Sequence, residues 1–177
     1  MDSTTKMATF PRHGHLVTAF FPNILHLFKN KQIYYLQEEQ ILVFKGKKYS
    51  GEEELIDPIE ISDIETYIEQ VVDLLDFVQP DFLFFKKNKF KQTKNTLKTI
   101  GVPDLVVEVW SQSNDEHERE MKFRLYSSKE NCEHWYLTQT SNEVACYMGK
   151  TKLPTQYLTD ILKTNDGITF DLRYLAM

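Results

Sequence analysis

The sequence predicts an α/β fold, with a mixed central sheet flanked by helices. Two segments carry the prediction: PDFLFF from Pro80 and PDLVVEVW from Pro103 are each opened by Pro-Asp and are apolar at almost every position. Strands without polar alternation belong in the buried centre of a sheet covered on both faces. Stretches with apolar residues at helical spacing stand before and after them and supply the covering layers. The chain has 177 residues, 41% of them hydrophobic and 13% aromatic, enough for one real core and one domain spanning 1–177.

The elements follow in order. From about His13 to Phe28, Leu16, Phe20, Ile24, Leu27 and Phe28 recur at helical spacing, and Pro22 should kink or split that helix. QIYYLQEEQILVFKG holds two β-rich runs about a polar centre, which predicts a hairpin with its tip near Glu38 and Glu39. An acidic segment follows from about Lys47 to Val78, in which Ser62 and Glu65 fit a capping box. Ile64, Ile68, Val71, Val72 and Leu75 then predict an amphipathic helix from about Asp63 to Phe77.

After the first Pro-Asp strand, the stretch from Lys86 to Lys98 holds six lysines and no acid. NDEHEREMKFRLYSSK is helical in composition, with Met121, Leu125 and Phe123 turned inward and Asn114 or Ser113 as cap. EHWYLT and EVACYM are two further strands joined by a turn near Thr140 to Asn142, and GITFDLRYL closes the chain as a strand-like segment. Pairing about that turn sets Cys146 near Tyr136 and away from Cys132, so both cysteines read as reduced thiols.

Charge and composition narrow the function. A net charge of -5 argues against bulk electrostatic coating of nucleic acid, but leaves room for an enzyme with a local basic groove. No run of about 18 apolar residues and no secretory core occurs, which predicts a cytoplasmic protein with no membrane segment. His13 and His15 lack the partners of a four-ligand zinc set.

Geometry selects among the acids. If the two Pro-Asp strands run antiparallel with Asp81 opposite Glu108, Phe85 stands opposite Asp104, and paired Cβ atoms lie roughly 4.5 to 5.5 Å apart. Two carboxylates so placed could share one metal ion. Asp104 and Glu108, four residues apart on one strand, are separated by roughly 13 Å and could not, which leaves Asp104 as a loop anchor. Carboxylates inside apolar strands need a partner or a metal. Oxygen ligands of this kind suit Mg²⁺ or Mn²⁺, and Lys122, one helix after Glu108, could hold the attacking water of a phosphodiester hydrolysis.

The segment PDLVVEVWSQSNDEHEREMKFRLYSSKENCEHWYL resembles the central motif of the Uma-type (Uma-two) restriction endonucleases, a branch of the PD-(D/E)XK nuclease superfamily. The matching residues are Pro103 to Val109, Ser111 with Ser113, Glu118, Lys122, Tyr126, and Glu133 with Trp135. The likeness runs from Gln79 to Leu137, is weaker in the first helix, where His13 matches a family histidine, and is absent from about Lys47 to Val78. Trp110 stands where the superfamily usually has its lysine, and Glu118, Gln112 and Glu130 replace the family's common aspartate, proline and glycine.

The resemblance implies a restriction-endonuclease-like core and a Mg²⁺- or Mn²⁺-dependent endonuclease acting on DNA. Asp81, Glu108 and the carbonyl of Val109 would hold the metal, and Lys122 would position the water. Ser111, Ser113 and Glu118 would support that shell, while Lys86, Lys87, Lys89, Lys91 and Lys94 would grip the DNA backbone. A homodimer would cut both strands, and the acidic segment could pack on the core, a second subunit or another protein. The alternative is a catalytically silent nucleic-acid or protein interaction module that keeps the fold.

Overall fold

The computed structural model describes residues 3–35, 41–94 and 98–177, with side chains in the first helix from residue 12 onward. The first helix, α1 (Ser3–Lys29), is followed by β1 (Tyr34–Tyr35), β2 (Ile41–Lys45) and β3 (Glu54–Leu55). A short helix α2 (Ile64–Gln70) leads into β4 (Leu75–Val78), β5 (Phe82–Phe85), β6 (Phe90–Gln92), β7 (Lys98–Gly101) and β8 (Leu105–Trp110). The third helix, α3 (Glu116–Ser127), then precedes β9 (Glu133–Thr138) and β10 (Glu143–Met148).

The main sheet is mixed, in the order β1-β5-β8-β9-β10, with β8 and β9 parallel and the other neighbours antiparallel. Every residue of β5 and β8 is buried, as unbroken apolar runs require. One face packs on α1 through Leu16, Phe20 and Ile24, which meet Phe82, Val107 and Trp135. The opposite face, with Leu83, Phe85 and Val106, is covered by Met121, Leu125 and Tyr126 of α3 and by a second sheet. That sheet is built on β2, with β4 along one edge and β7 and β3 sharing the other.

Several sequence expectations change. The helix is continuous through Pro22, whose side chain is exposed, so the backbone groups that proline disturbs face water. β1 and β2 do not form a hairpin: β1 pairs with β5 in the main sheet and β2 lies in the second sheet. The expected tip at Glu38 and Glu39 lies outside the described residues.

The helix expected over Asp63 to Phe77 is only Ile64–Gln70, capped by Asp63 rather than Ser62. Its second half is a 3-10 turn at Val72–Leu74 and then the strand β4, which donates to and accepts from the open edge of β2. The cap of α3 is Asp115, whose carboxylate accepts from Glu118 N. Cys146 sits opposite Trp135, one residue from the expected Tyr136, and both cysteines are free and buried. Among the described residues, no helix is long and apolar enough to cross a membrane.

Candidate active site

β5 and β8 pair Phe82 with Val107 and Phe84 with Leu105, the register that carries Asp81 to Glu108 and Phe85 to Asp104. Side chains opposite one another in this register share a face, so the two acids meet where β5 begins. Glu108 Oε1 accepts from Asp81 N at 3.2 Å, and Asp81 Oδ2 accepts from Val109 N at 2.8 Å. Asp104, at the other end, fixes the loop after β5: its Oδ2 accepts from Lys86 N at 2.7 Å and Lys89 Nζ lies 3.5 Å from Oδ1.

The third member comes from α3. Lys122 Nζ lies 3.0 Å from Glu108 Oε2 and 3.7 Å from Glu118 Oε1, and Tyr126 donates its hydroxyl to Glu108 Oε2 at 2.8 Å. Glu118, Lys122 and Tyr126 follow one another at intervals of four, one stripe of the helix laid against β8. Tyr126 packs in the core and at the same time turns its hydroxyl to the site, as its fourfold spacing from Lys122 allows.

Burial governs the electrostatics. Glu108 is 1% exposed, and its carboxyl is pushed up to about 7, first by burial and further by the Asp81 charge, against the pull of Lys122 and Tyr126. Burial likewise raises Asp81, opposed by the hydrogen bond from Val109 and by Lys122. For Lys122 burial is the largest influence and pulls downward, but Glu108, Asp81 and Glu118 outweigh it and hold the side chain as an ammonium.

Three carboxyl groups thus stand about one ammonium, an excess of negative charge once Glu108 is ionised, with Asp81 and Glu118 partly open to solvent. The donors are hard oxygens, and they fit Mg²⁺ or Mn²⁺ better than a softer metal. Among the described residues, no three His, Cys, Asp or Glu side chains converge to hold a metal. Asp81, Glu108 and the Val109 carbonyl are the oxygens here that could hold such an ion. His13 of α1 stands beside the same donors, with Nε2 2.9 Å from the Val109 carbonyl oxygen and 4.0 Å from Asp81 Oδ2.

The neighbouring serines order the turn after β8. Ser111 Oγ and Ser113 Oγ are 2.7 Å apart, Asn114 Oδ1 accepts from Ser111 N at 2.8 Å, and Asn114 Nδ2 donates to Glu118 at 3.2 Å. The lysine-rich stretch lies elsewhere. Lys86 follows the far end of β5 from Asp81 and pairs with Asp166, while Lys94 N donates to Glu65 on α2. Lys87 and Lys91 belong to the same excursion, Lys91 in β6.

The acidic segment also takes a definite place. Beside Glu118, Met121 and Lys122 opens a cavity of about 220 Å³, to which that segment and the link to β5 contribute Lys48, Tyr49, Phe77, Val78 and Gln79. Three of its acids have partners: Glu53 pairs with Arg124, Glu54 pairs with Lys129, and Asp76 accepts from Lys48 N beside this cavity.

A mixed sheet between helices, with facing acids at the start of one central strand and within the next and a lysine on the following helix, defines the restriction-endonuclease-like class. The Uma2 family model, described as putative restriction endonuclease, matches residues 60–173, and the chain belongs to this family. The match begins inside the acidic segment, so α2 and β4 lie within the family's span. Among solved structures the chain is similar to a putative nuclease belonging to DUF820 from Anabaena variabilis ATCC 29413. The two share 11% identity with a TM-score of 0.60 over 94% of this chain and 82% of that one, a likeness of fold. No curated protein matches the chain.

Proposed function

We propose that this protein is an endonuclease that hydrolyses DNA phosphodiester bonds with Mg²⁺ or Mn²⁺. The observation that carries the reading is the facing pair of half-buried Asp81 and buried Glu108, with Lys122 Nζ 3.0 Å from Glu108 Oε2. Membership of the Uma2 family supports the same class.

Asp81, Glu108 and the Val109 carbonyl are the residues that would hold the ion, which when bound would polarise the phosphoryl group and lower the pKa of water. Lys122, kept as an ammonium, cannot serve as a base; it donates hydrogen bonds that orient the attacking water and meet the charge growing on phosphate oxygen. Tyr126 fixes the rotamer of Glu108, and Glu118 holds Lys122 from the solvent side. A homodimer is the assembly proposed for cutting both strands.

The silent interaction module keeps two observations in its favour. The net charge is -5, and Lys86 and Lys89 are neutralised by Asp166 and Asp104. Supercoiled plasmid and single-stranded DNA, incubated with Mg²⁺ or Mn²⁺, separate the two readings. Metal-dependent nicking should appear with the wild type and disappear in folded Asp81→Ala, Glu108→Ala and Lys122→Ala proteins. Intact substrates, together with no calorimetric Mn²⁺ binding, would overturn the nuclease assignment.

A further inference from the structure

Along the face of α3 that carries Arg119 and Phe123, the sheet borders a second cavity, of about 390 Å³, within the size range of small-ligand sites. Trp110, Arg119, Phe123, Tyr136 and Tyr147 are among the residues that line it. Trp110 and Tyr136 are stacked, with centroids 5.7 Å apart and planes inclined by 21°. Tyr147 adds an edge-on ring 6.0 Å from Tyr136.

Arg124, which is paired with Glu53, and the acid Glu120 also line it, and Lys122 and Lys152 approach the rings from beside it. The Arg119 guanidinium and Lys122 Nζ each lie 5.6 Å from the Trp110 ring centre, and Lys152 Nζ lies 5.3 Å from that of Tyr147. Arg119 donates through one terminal nitrogen to the Ser111 carbonyl at 2.8 Å, yet its buried Nε has no hydrogen-bond partner among the described residues. A buried donor left unpaired is costly, and an acceptor arriving in the cavity would relieve it.

The position matters as much as the chemistry. Trp110 is two residues beyond Glu108 on β8, on the same face and roughly 7 Å along the strand. Lys122 touches both, holding Glu108 and facing the Trp110 ring. Flat π faces beside cations are what an unpaired base and its phosphates bind, without regard to sequence. A base stacked inside a duplex cannot enter; it must be single-stranded or turned out.

We infer that the Trp110, Tyr136 and Arg119 cavity receives an unpaired base of the nucleotide next to the scissile phosphate, so that the substrate is single-stranded or locally unpaired nucleic acid. The inference rests on the nuclease reading and names the strandedness of its substrate. Trp110, at the position where related nucleases usually carry lysine, thereby becomes a substrate-binding residue.

The test is binding in EDTA, where nothing is cut, of a twelve-residue oligothymidylate and of a blunt DNA hairpin. Trp110, 8% exposed at the edge of the cavity, is its own reporter, because Trp135 is wholly enclosed and donates to Glu133. The wild type should bind the single strand roughly tenfold more tightly than the hairpin and lose tryptophan emission on binding. Folded Arg119→Ala and Tyr147→Ser proteins should each bind the single strand roughly tenfold more weakly, with the hairpin unchanged.

Equal affinity for the two probes, or a loss in the variants that is the same for both, overturns the inference. Metal-dependent plasmid nicking that Asp81→Ala abolishes would then leave the nuclease reading standing. Absence of both binding and nicking would remove the two together.

Discussion

Replacing Glu108 by glutamine should change how the stability of this protein depends on pH. The native carboxyl is pushed from its ordinary 4.5 to about 7, chiefly by burial. Between those values the folded chain keeps a proton that the unfolded chain has released. The contribution is therefore fully present below about pH 4.5 and is lost as pH rises through about 7. The gap is 7 - 4.5 = 2.5 pH units. At about 1.36 kcal/mol per unit, that amounts to about 3 kcal/mol.

Glutamine stays neutral throughout, so the unfolding free energy of Glu108→Gln minus that of the wild type should grow by about 3 kcal/mol between pH 4.5 and pH 8. At pH 4.5 both side chains are uncharged. The difference there reads only how well an amide satisfies Asp81 N, Tyr126 and Lys122. Urea unfolding in EDTA, followed by circular dichroism at four pH values, measures the change. A difference that stays flat would refute the reasoning, since it would mean that Lys122 keeps the carboxylate ionised across the whole range.

Two further outcomes follow from the same physics. His134 is fully buried between Tyr136 and the Gly149 carbonyl, and burial pulls its imidazole from 6.5 to about 4. Its contribution is present above pH 6.5 and is lost as pH falls through about 4; His134→Gln should abolish about 3 kcal/mol of acid destabilisation in urea titrations, and an unchanged acid slope would contradict it. Mn²⁺ at about a hundred times its dissociation constant should raise the melting temperature by roughly 5 to 10 °C. The shift should be larger at pH 8 than at pH 5.5, because Glu108 must first give up its proton, and Asp81→Ala should eliminate it; equal shifts at both pH values would oppose this account.

The pairing of Asp81 with Glu108 was legible because both central strands are apolar on both faces and open with the same dipeptide. Once they are antiparallel neighbours, one register brings the two acids together, and the structure has it. Lys122 was legible from its motif spacing. Tyr126 could have been read from its place one turn beyond Lys122 on the same stripe, but an aromatic at helical spacing is usually core.

The misread elements share a cause. Leu75 and Val78 fit a helical stripe with Ile64 and Ile68 as well as they fit a strand, and only the free edge of β2 decides for the strand. Tyr34, Tyr35 and the residues of β2 have the propensity of a hairpin, yet β5 and β7 offer them separate partners. The aromatic cavity was hidden for a related reason, since Trp110, Arg119, Tyr136 and Tyr147 come from two strands, a helix and a third strand.

By itself, the sequence determined which segments are buried strands, which acids sit within them and which helix carries the lysine, because apolar runs and helical stripes are local properties of the chain. Tertiary structure alone decided which strands share a sheet, where the acids of the acidic segment point, and which side chains from distant segments meet around Glu108 and Trp110. Those choices turn on backbone hydrogen bonds and burial between elements far apart in the chain, which local periodicity does not encode.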